Sequence, residues 1–330
     1  MWENILGNEQ HKKFLERYLT SDNHPHALLF VGAAGLGKRL LALEFAESLL
    51  CHNLKGHDGC QSCKQFRVGA HPDFVEISLL EDKKTILIEQ VRELIAGSAY
   101  APTLGKNKVI LINDADLMRN EAANAILKIL EEPPESWTII LTATKEELLL
   151  PTILSRVVTL RFKPISEEDI QKAFLEKIKD EEHAAVYAKL ADGSIGGAVA
   201  LFEKDGLELR QNALELLMGL PTKFPMNLAA LSQQEMEERT KKDKDIFLMW
   251  LRLLQLLLRD ALMLKVGLSD IRNADLQFEL NKVAANAGQT ALEECLAAVE
   301  RANTGLFSNL GVKRVMEELI LDMNESLERR

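Results

Sequence analysis

Residues 31–50, VGAAGLGKRLLALEFAESLL, place Gly32, Gly37 and Lys38 in the spacing G-x-x-x-x-G-K, with Gly35 between them. Backbone N–H groups of such a loop, with the positive end of the helix that follows, can cradle phosphates while a lysine reaches the terminal ones. The context suits that chemistry, because an apolar run precedes the loop and a helical pattern follows it. A plain glycine-rich turn is the competing reading. Arg39 occupies the position where a hydroxyl would hold Mg²⁺, and a guanidinium, having no acceptor, cannot ligate a cation.

Further along, VILINDADLM reads as a strand ending in polar residues. Loop NTPases keep a metal-holding Asp and a water-orienting acid at such a strand end. Here the two positions are Asn113 and Asp114, so the first is neutral and the metal contact is weakened. The alternative is a buried strand entering a polar turn, with Asp114 or Asp116 capping a helix.

Three of the four cysteines lie close together, and with His57 they form C-x5-H-x2-C-x2-C: Cys51, His57, Cys60 and Cys63. Thiolate and imidazole ligands at such short spacing suit a closed tetrahedral structural Zn²⁺ site. His52 is the alternative nitrogen ligand. A redox C-x-x-C would need a thioredoxin-like setting, which is absent, and unliganded buried thiols are the other reading. Cys295, far away in a helical stretch, reads as core.

The elements that position these groups alternate. Apolar runs at Ala27 to Val31, Phe74 to Ile77, Val109 to Ile112, Thr138 to Thr142 and Val157 to Phe162 read as strands. Helical stretches at Leu40 to Leu50, Ile86 to Ala96 and Ala122 to Leu130 lie between them. This is the pattern of a parallel sheet flanked by helices, with ligands at the carboxyl ends of the strands. After Pro164, SEEDIQKAF opens a capped helix, and a small helical unit runs to about Lys204. From Gly206 onward only helix-length patterns remain, including Ile246 to Val266 and Val312 to Asn324, which implies a separate helical domain.

Bulk properties agree with such a multidomain chain: 330 residues exceed one ordinary core, and 47% hydrophobic with 27% charged residues suits a soluble globular protein. The most apolar stretch, Phe247 to Val266, is interrupted by Arg252, Gln255, Arg259 and Asp260, so it reads as an amphipathic helix and no membrane span is expected. The N-terminus lacks a basic start followed by an apolar run, which points to the cytoplasm, where thiols favour metal over disulfide. A net charge of −10 excludes a wide basic surface for coating nucleic acid, but leaves room for a few phosphate contacts.

NAILKILEEPPESWTIILTAT followed by LPTILSRVVTLRF resembles the clamp-loader branch of the AAA+ ATPases, the bacterial DNA polymerase III gamma/tau and delta-prime subunits and their replication factor C relatives. The likeness extends from ILGNEQ through the loop, HPD at His71 to Asp73, and the acidic strand. It implies a role for Arg156, in TILSR, as an arginine finger reaching a neighbour's ATP site, where a guanidinium stabilises charge developing on the γ-phosphate. Val157 stands where relatives often carry Cys. Active relatives place a further arginine within G-S-x-R of the lid, and in GSIGGAVAL that position is Gly196. The family also carries a cysteine cluster inserted after the loop helix, usually with four Cys. Lys128 and the run Glu131, Glu132, Pro133, Pro134 read as a shaped junction near a subunit boundary and not as catalytic residues.

With Arg39, Asn113 and Gly196 altered and Arg156 kept, the pattern most resembles the delta-prime, or stator, type of subunit. That resemblance implies an AAA+ phosphate-loop domain over residues 1–163 with a zinc-binding insertion at about 51–66, a helical lid over 164–205, and an all-α collar over 206–330. It implies poor ATP hydrolysis, uncertain ATP or ADP binding, and partnership with gamma/tau and delta subunits, the sliding clamp and primed DNA. An active gamma/tau-like motor and a nucleotide-binding scaffold are the alternatives.

Overall fold

The strand β1 (Ala27–Val31) is ALLFV, and all five residues are buried. A strand with no polar face belongs in the middle of a sheet covered on both sides. In the computed structural model, which describes residues 2, 5–21, 24–54, 56, 58–80, 83–97, 101–134, 136–227, 245–307 and 311–329, it lies there. Together with β2 (Phe74–Ile77), β3 (Lys108–Ile112), β4 (Trp137–Ala143) and β5 (Val158–Arg161) it forms a sheet of order β2-β3-β4-β1-β5. All pairings are parallel; Ala27 faces Ile139 on one side of β1, and Leu28 faces Val158 on the other. The five expected strands are the five observed.

Alternation along the strands divides the core into two layers. Leu29, Ile110, Ile112, Ile139 and Leu141 pack with Val91 and Leu94 of α4 (Ile88–Ala96) and with Ala122 and Ile126 of α5 (Asn120–Glu131). On the opposite face Leu28, Phe30, Leu111 and Ile140 meet Leu15 and Tyr18 of α1 (Glu9–Thr20) and Leu41 and Phe45 of α2 (Lys38–Leu50). Two short helices, α3 (Gln61–Arg67) and α6 (Pro151–Leu154), carry groups discussed below. The helix expected from Ile86 starts two residues later. Ile86 instead forms a parallel bridge to Met118, and the Gln90 side chain accepts the Leu87 N–H at 3.1 Å, which caps the helix there.

The chain divides into two compact units, residues 1–170 with 193–196, and residues 171–192 with 197–330. The second is helical: most of α7 (Glu167–Ile178), α8 (Glu181–Leu190), most of α9 (Ile195–Glu203), α10 (Gly206–Met218), and then helices Asp245–Lys265, Gln277–Asn286, Gln289–Phe307 and Val312–Glu328. Helix Asp245–Lys265 buries Phe247, Trp250, Leu254, Leu257 and Leu258, as its amphipathic pattern predicts. Asp260 is also fully buried, and its carboxylate is satisfied by the Asn273 N–H at 2.8 Å, the Asn273 amide at 2.7 Å and Arg259 at 3.1 Å. Among the described residues no single helix is long and apolar enough to cross a membrane.

Tyr18 anchors α1 to the sheet: its hydroxyl donates to the Pro25 carbonyl at 2.7 Å and lies 3.3 Å from Thr138 Oγ1. Burial pushes its phenol up to about 12, the Thr138 bond opposing. The folded state therefore holds a proton that the unfolded chain releases near pH 10, so stability is complete below that pH and declines toward pH 12. The loss amounts to about 2–3 kcal/mol. Urea unfolding at pH 9, 10 and 11 is expected to show this slope, and Tyr18→Phe should remove that share of it. A Tyr18→Phe protein with an unchanged alkaline slope would assign the loss to other groups.

Candidate functional site

At the carboxyl end of β1 the chain must turn from the sheet centre into α2 within six residues. Gly32 makes the first step with φ +154°, its N–H bonded to the Ala143 carbonyl at 3.2 Å. A Cβ there would stand 2.8 Å from the Phe162 carbonyl oxygen, so only glycine fits. Gly37 ends the turn as the N-cap of α2 with φ +81°, a left-handed conformation that side chains disfavour. Lys38 is then the first helical residue, and it folds back into the loop. Its ammonium, 6% exposed as a residue, donates to the Gly32 carbonyl at 2.7 Å and the Ala33 carbonyl at 2.8 Å. Burial pulls its pKa down, against the carboxylates of Asp114 and Asp116.

The acidic strand end lies beside it. Asn113 is held by Thr142, whose hydroxyl donates to Asn113 Oδ1 at 2.8 Å and accepts the Asp114 N–H at 2.9 Å. The Asn113 amide donates to Asp114 Oδ2 at 2.9 Å. Burial raises the Asp114 carboxyl, Asp116 adds to the rise, and Lys38 and Arg39 oppose it. Asp116 accepts from the N–H of Thr144 at 3.0 Å and from its hydroxyl. Arg39 points to β2 and pairs bidentately with Glu76, at 2.7 and 3.0 Å. Gly32, Gly35, Gly37, Lys38 and Arg39 thus lie on the turn and the first residues of α2, with Asn113 and Asp114 at the end of β3 and the Arg39 guanidinium paired with Glu76. Sequence reasoning missed Thr142, Thr144 and Glu76. The threonines had a signal: TIILTAT carries polar residues at the end of an otherwise apolar strand.

Residues 194–196 close over the loop. The Ser194 hydroxyl donates to the Ala34 carbonyl at 3.2 Å, and the Gly196 N–H to the Gly35 carbonyl at 3.0 Å. Four consecutive loop carbonyls, from Gly32 to Gly35, therefore hold donors from this chain. A Cβ at Gly196 would lie 3.0 Å from Gly35 Cα and 3.3 Å from its oxygen. The position expected to carry an arginine in active relatives thus has no room for a side chain unless the backbones part.

Arg156 lies in a different setting, just after α6. Its guanidinium donates to the Thr152 carbonyl at 2.8 Å and Ser155 Oγ at 3.0 Å, and it pairs with Glu131 at 2.7 Å. Its side chain is 33% exposed and that of Glu131 49%. Glu131 closes α5, where a carboxylate opposes the helix dipole, and the cation compensates.

The cysteines form a third cluster. Cys51 follows α2, Cys60 caps α3 by accepting the Cys63 N–H at 3.5 Å, and the Cys60 and Cys63 sulfurs are 3.6 Å apart. Potential ligand atoms of Cys51, Asp58, Cys60 and Cys63 all lie within 4.8 Å of one another. Four ligands around a tetrahedral ion with metal–sulfur arms of about 2.3 Å are separated by about 3.8 Å, so the donor set fits a metal. His57 lies outside the described residues. His52 is exposed, and its backbone N–H bonds to the Cys60 sulfur. Burial opposes ionisation of Cys60, but the N–H groups of Cys63 and His52 outweigh it and lower the thiol pKa. Cys63 is pushed up by burial and by its bonds to Cys60 and Asp58.

A family model described as DNA polymerase III, delta subunit, matches residues 7–166. DNA polymerase III subunit delta' of Escherichia coli is 30% identical over 318 residues, covering 94% of this chain and 91% of that protein. The chain belongs to the family of DNA polymerase III clamp-loader subunits. The delta' subunit of Bacillus subtilis is also 30% identical, covering 95% of each chain. Clamp-loader relatives of the tau type are similar over a shorter span: Escherichia coli tau is 32% identical over 210 residues, 61% of this chain and 32% of tau.

In this clamp-loader subunit Gly196→Ala is expected to cost about 1–3 kcal/mol, because the added methyl must push Gly35 away. Chemical unfolding with Trp fluorescence measures it. Unchanged stability would show that residues 194–196 do not brace the loop.

Proposed function

We propose that this chain acts as the delta-prime, or stator, type of clamp-loader subunit in the cytoplasm, hydrolysing ATP poorly or not at all while Arg156 enters the ATP site of a neighbouring gamma/tau subunit. The observation that carries this reading is the contrast between the two cationic centres. The Lys38 ammonium is buried and held by two carbonyls of its own loop, and Gly196 has no room for the lid arginine of active relatives, whereas Arg156 is partly exposed with one carboxylate partner. An exposed ion pair contributes about 0–1 kcal/mol, so a phosphate can displace Glu131 at little cost.

The rest of the chain fits that role. Residues 164–205 serve as the lid and 206–330 as the collar that joins it to gamma/tau and delta, and the assembly places the sliding clamp on primed DNA. Cys51, Cys60 and Cys63 hold a structural Zn²⁺ that pins the start of α3 to the end of α2; the ion supplies cross-linking and no catalysis.

A gamma/tau-like motor is the second reading, favoured by the retained Lys38 and Asp114 and by the similarity to tau. It requires that the purified chain hydrolyse ATP alone and that Lys38→Ala abolish the turnover. The stator reading is tested in a reconstituted loader carrying Arg156→Ala. A finger contributes roughly 10³ to 10⁵ in rate at the site it serves. DNA-stimulated ATPase should therefore fall by the share of that one site, and clamp loading should fall with it. Unchanged ATPase and loading would overturn the reading.

A further inference from the structure

We infer that Asp58 is the fourth ligand of the metal held by Cys51, Cys60 and Cys63, in place of a histidine. The inference deepens only the metal part of the proposed function and is independent of the role given to Arg156.

The carboxylate is already set among the sulfurs. Its Oδ1 accepts the Cys60 N–H at 3.0 Å and the Cys63 thiol at 3.3 Å. The other oxygen, Oδ2, accepts the Asn53 side-chain amide at 2.7 Å. Such a partner fixes the orientation of a ligating carboxylate and leaves its remaining oxygen for the metal. The thiol contact is informative, since a metal binds the thiolate and takes the place of that S–H proton. The contacts that bring Asp58 Oδ1, Cys60 Sγ and Cys63 Sγ together are thus those a shared cation would replace.

The chain path explains how Asp58 reaches the site. Leu54, Gly56 and Gly59 have φ of +54°, +64° and +74°, so the backbone is left-handed at three described positions between Cys51 and Cys60. Gly56 lies against α2, where a Cβ would stand 2.9 Å from Ser48 Oγ. That close approach sets Gly56, two residues before Asp58, against the helix whose end carries Cys51. His52, by contrast, is exposed and contributes its backbone N–H to Cys60. Three thiolates and one carboxylate form a donor set suited to Zn²⁺, which accepts sulfur and oxygen in a tetrahedron.

The test uses the full-length protein, stripped with a chelator and reloaded with Zn²⁺ against a chromophoric competitor. Asp58→Ala is expected to weaken zinc binding at least tenfold, while His57→Ala and His52→Ala stay within about threefold of the parent. X-ray absorption of the zinc-loaded parent should show three sulfurs at about 2.3 Å and one lighter atom at about 2.0 Å. Asp58→Cys should convert this to four sulfurs, and it keeps the question decidable if Asp58→Ala does not fold. The inference is overturned if Asp58→Ala binds as the parent does, if a histidine variant takes the loss instead, or if Asp58→Cys retains three sulfurs. A parent that binds no zinc overturns the metal reading as a whole, and leaves the test of Arg156 intact.

Discussion

A buried ammonium held by two carbonyls of its own loop is the interaction on which the nucleotide-like site depends. Lys38 cannot be buried without acceptors, because desolvating an unpaired cation costs several kcal/mol. The nearest acceptors, Gly32 and Ala33 oxygens at 2.7 and 2.8 Å, exist only because the glycine turn aims carbonyls inward. The turn itself is dictated by the sheet. β1 is flanked by β4 and β5 and covered on both faces, so the chain leaving it can escape only upward, past Phe162 and back into α2. The loop's conformation, the start of α2 and the position of Lys38 are thus one solution to one constraint.

The same constraint explains what was legible in the sequence. Runs such as ALLFV and VILI are apolar throughout and bounded by polar residues, so their existence and parallel character follow from composition and alternation with helices. The loop residues are adjacent in sequence, and their grouping follows from a strand–turn–helix. What was not legible came from residues far apart in the chain. Gly196 sits on Gly35 because a segment some 160 positions away returns to the loop, and no local pattern encodes that approach. The Glu76 partner of Arg39 and the Glu131 partner of Arg156 are likewise set by which strand or helix end happens to be adjacent in space. Asp58 was missed for a different reason: ligand spacing draws attention to cysteine and histidine, whereas a carboxylate on the surface looks like ordinary solvation.

The loop region sets two cations among three carboxylates. Arg39 is matched by Glu76, and Lys38 faces Asp114 and Asp116, whose own carboxylates accept from the half-buried Asn113 and Thr144. With Asn113 neutral, the strand end supplies one carboxylate fewer to a metal ion than a pair of acids would. A guanidinium at position 39 adds positive charge where a hydroxyl-bound Mg²⁺ would bring its own. Each change alone could be absorbed by water or by a shift of side chains. Lys38, Arg39 and Asn113 each hold partners within the chain, whereas Asp116 Oδ1 is buried without one.

How available a cation is to an incoming phosphate depends on what it must give up. Lys38 would have to release the carbonyls of Gly32 and Ala33, which water can then reach, since Gly32 is half-buried and Ala33 exposed. Arg156 would exchange one partly exposed carboxylate for another anion of higher charge, retaining its bond to the Thr152 carbonyl. The two cations therefore differ in what each gives up: Lys38 two hydrogen bonds within its own loop, Arg156 one ion pair at the surface. That difference arises from burial and from the number of internal partners, Lys38 being 6% exposed and the Arg156 side chain 33%.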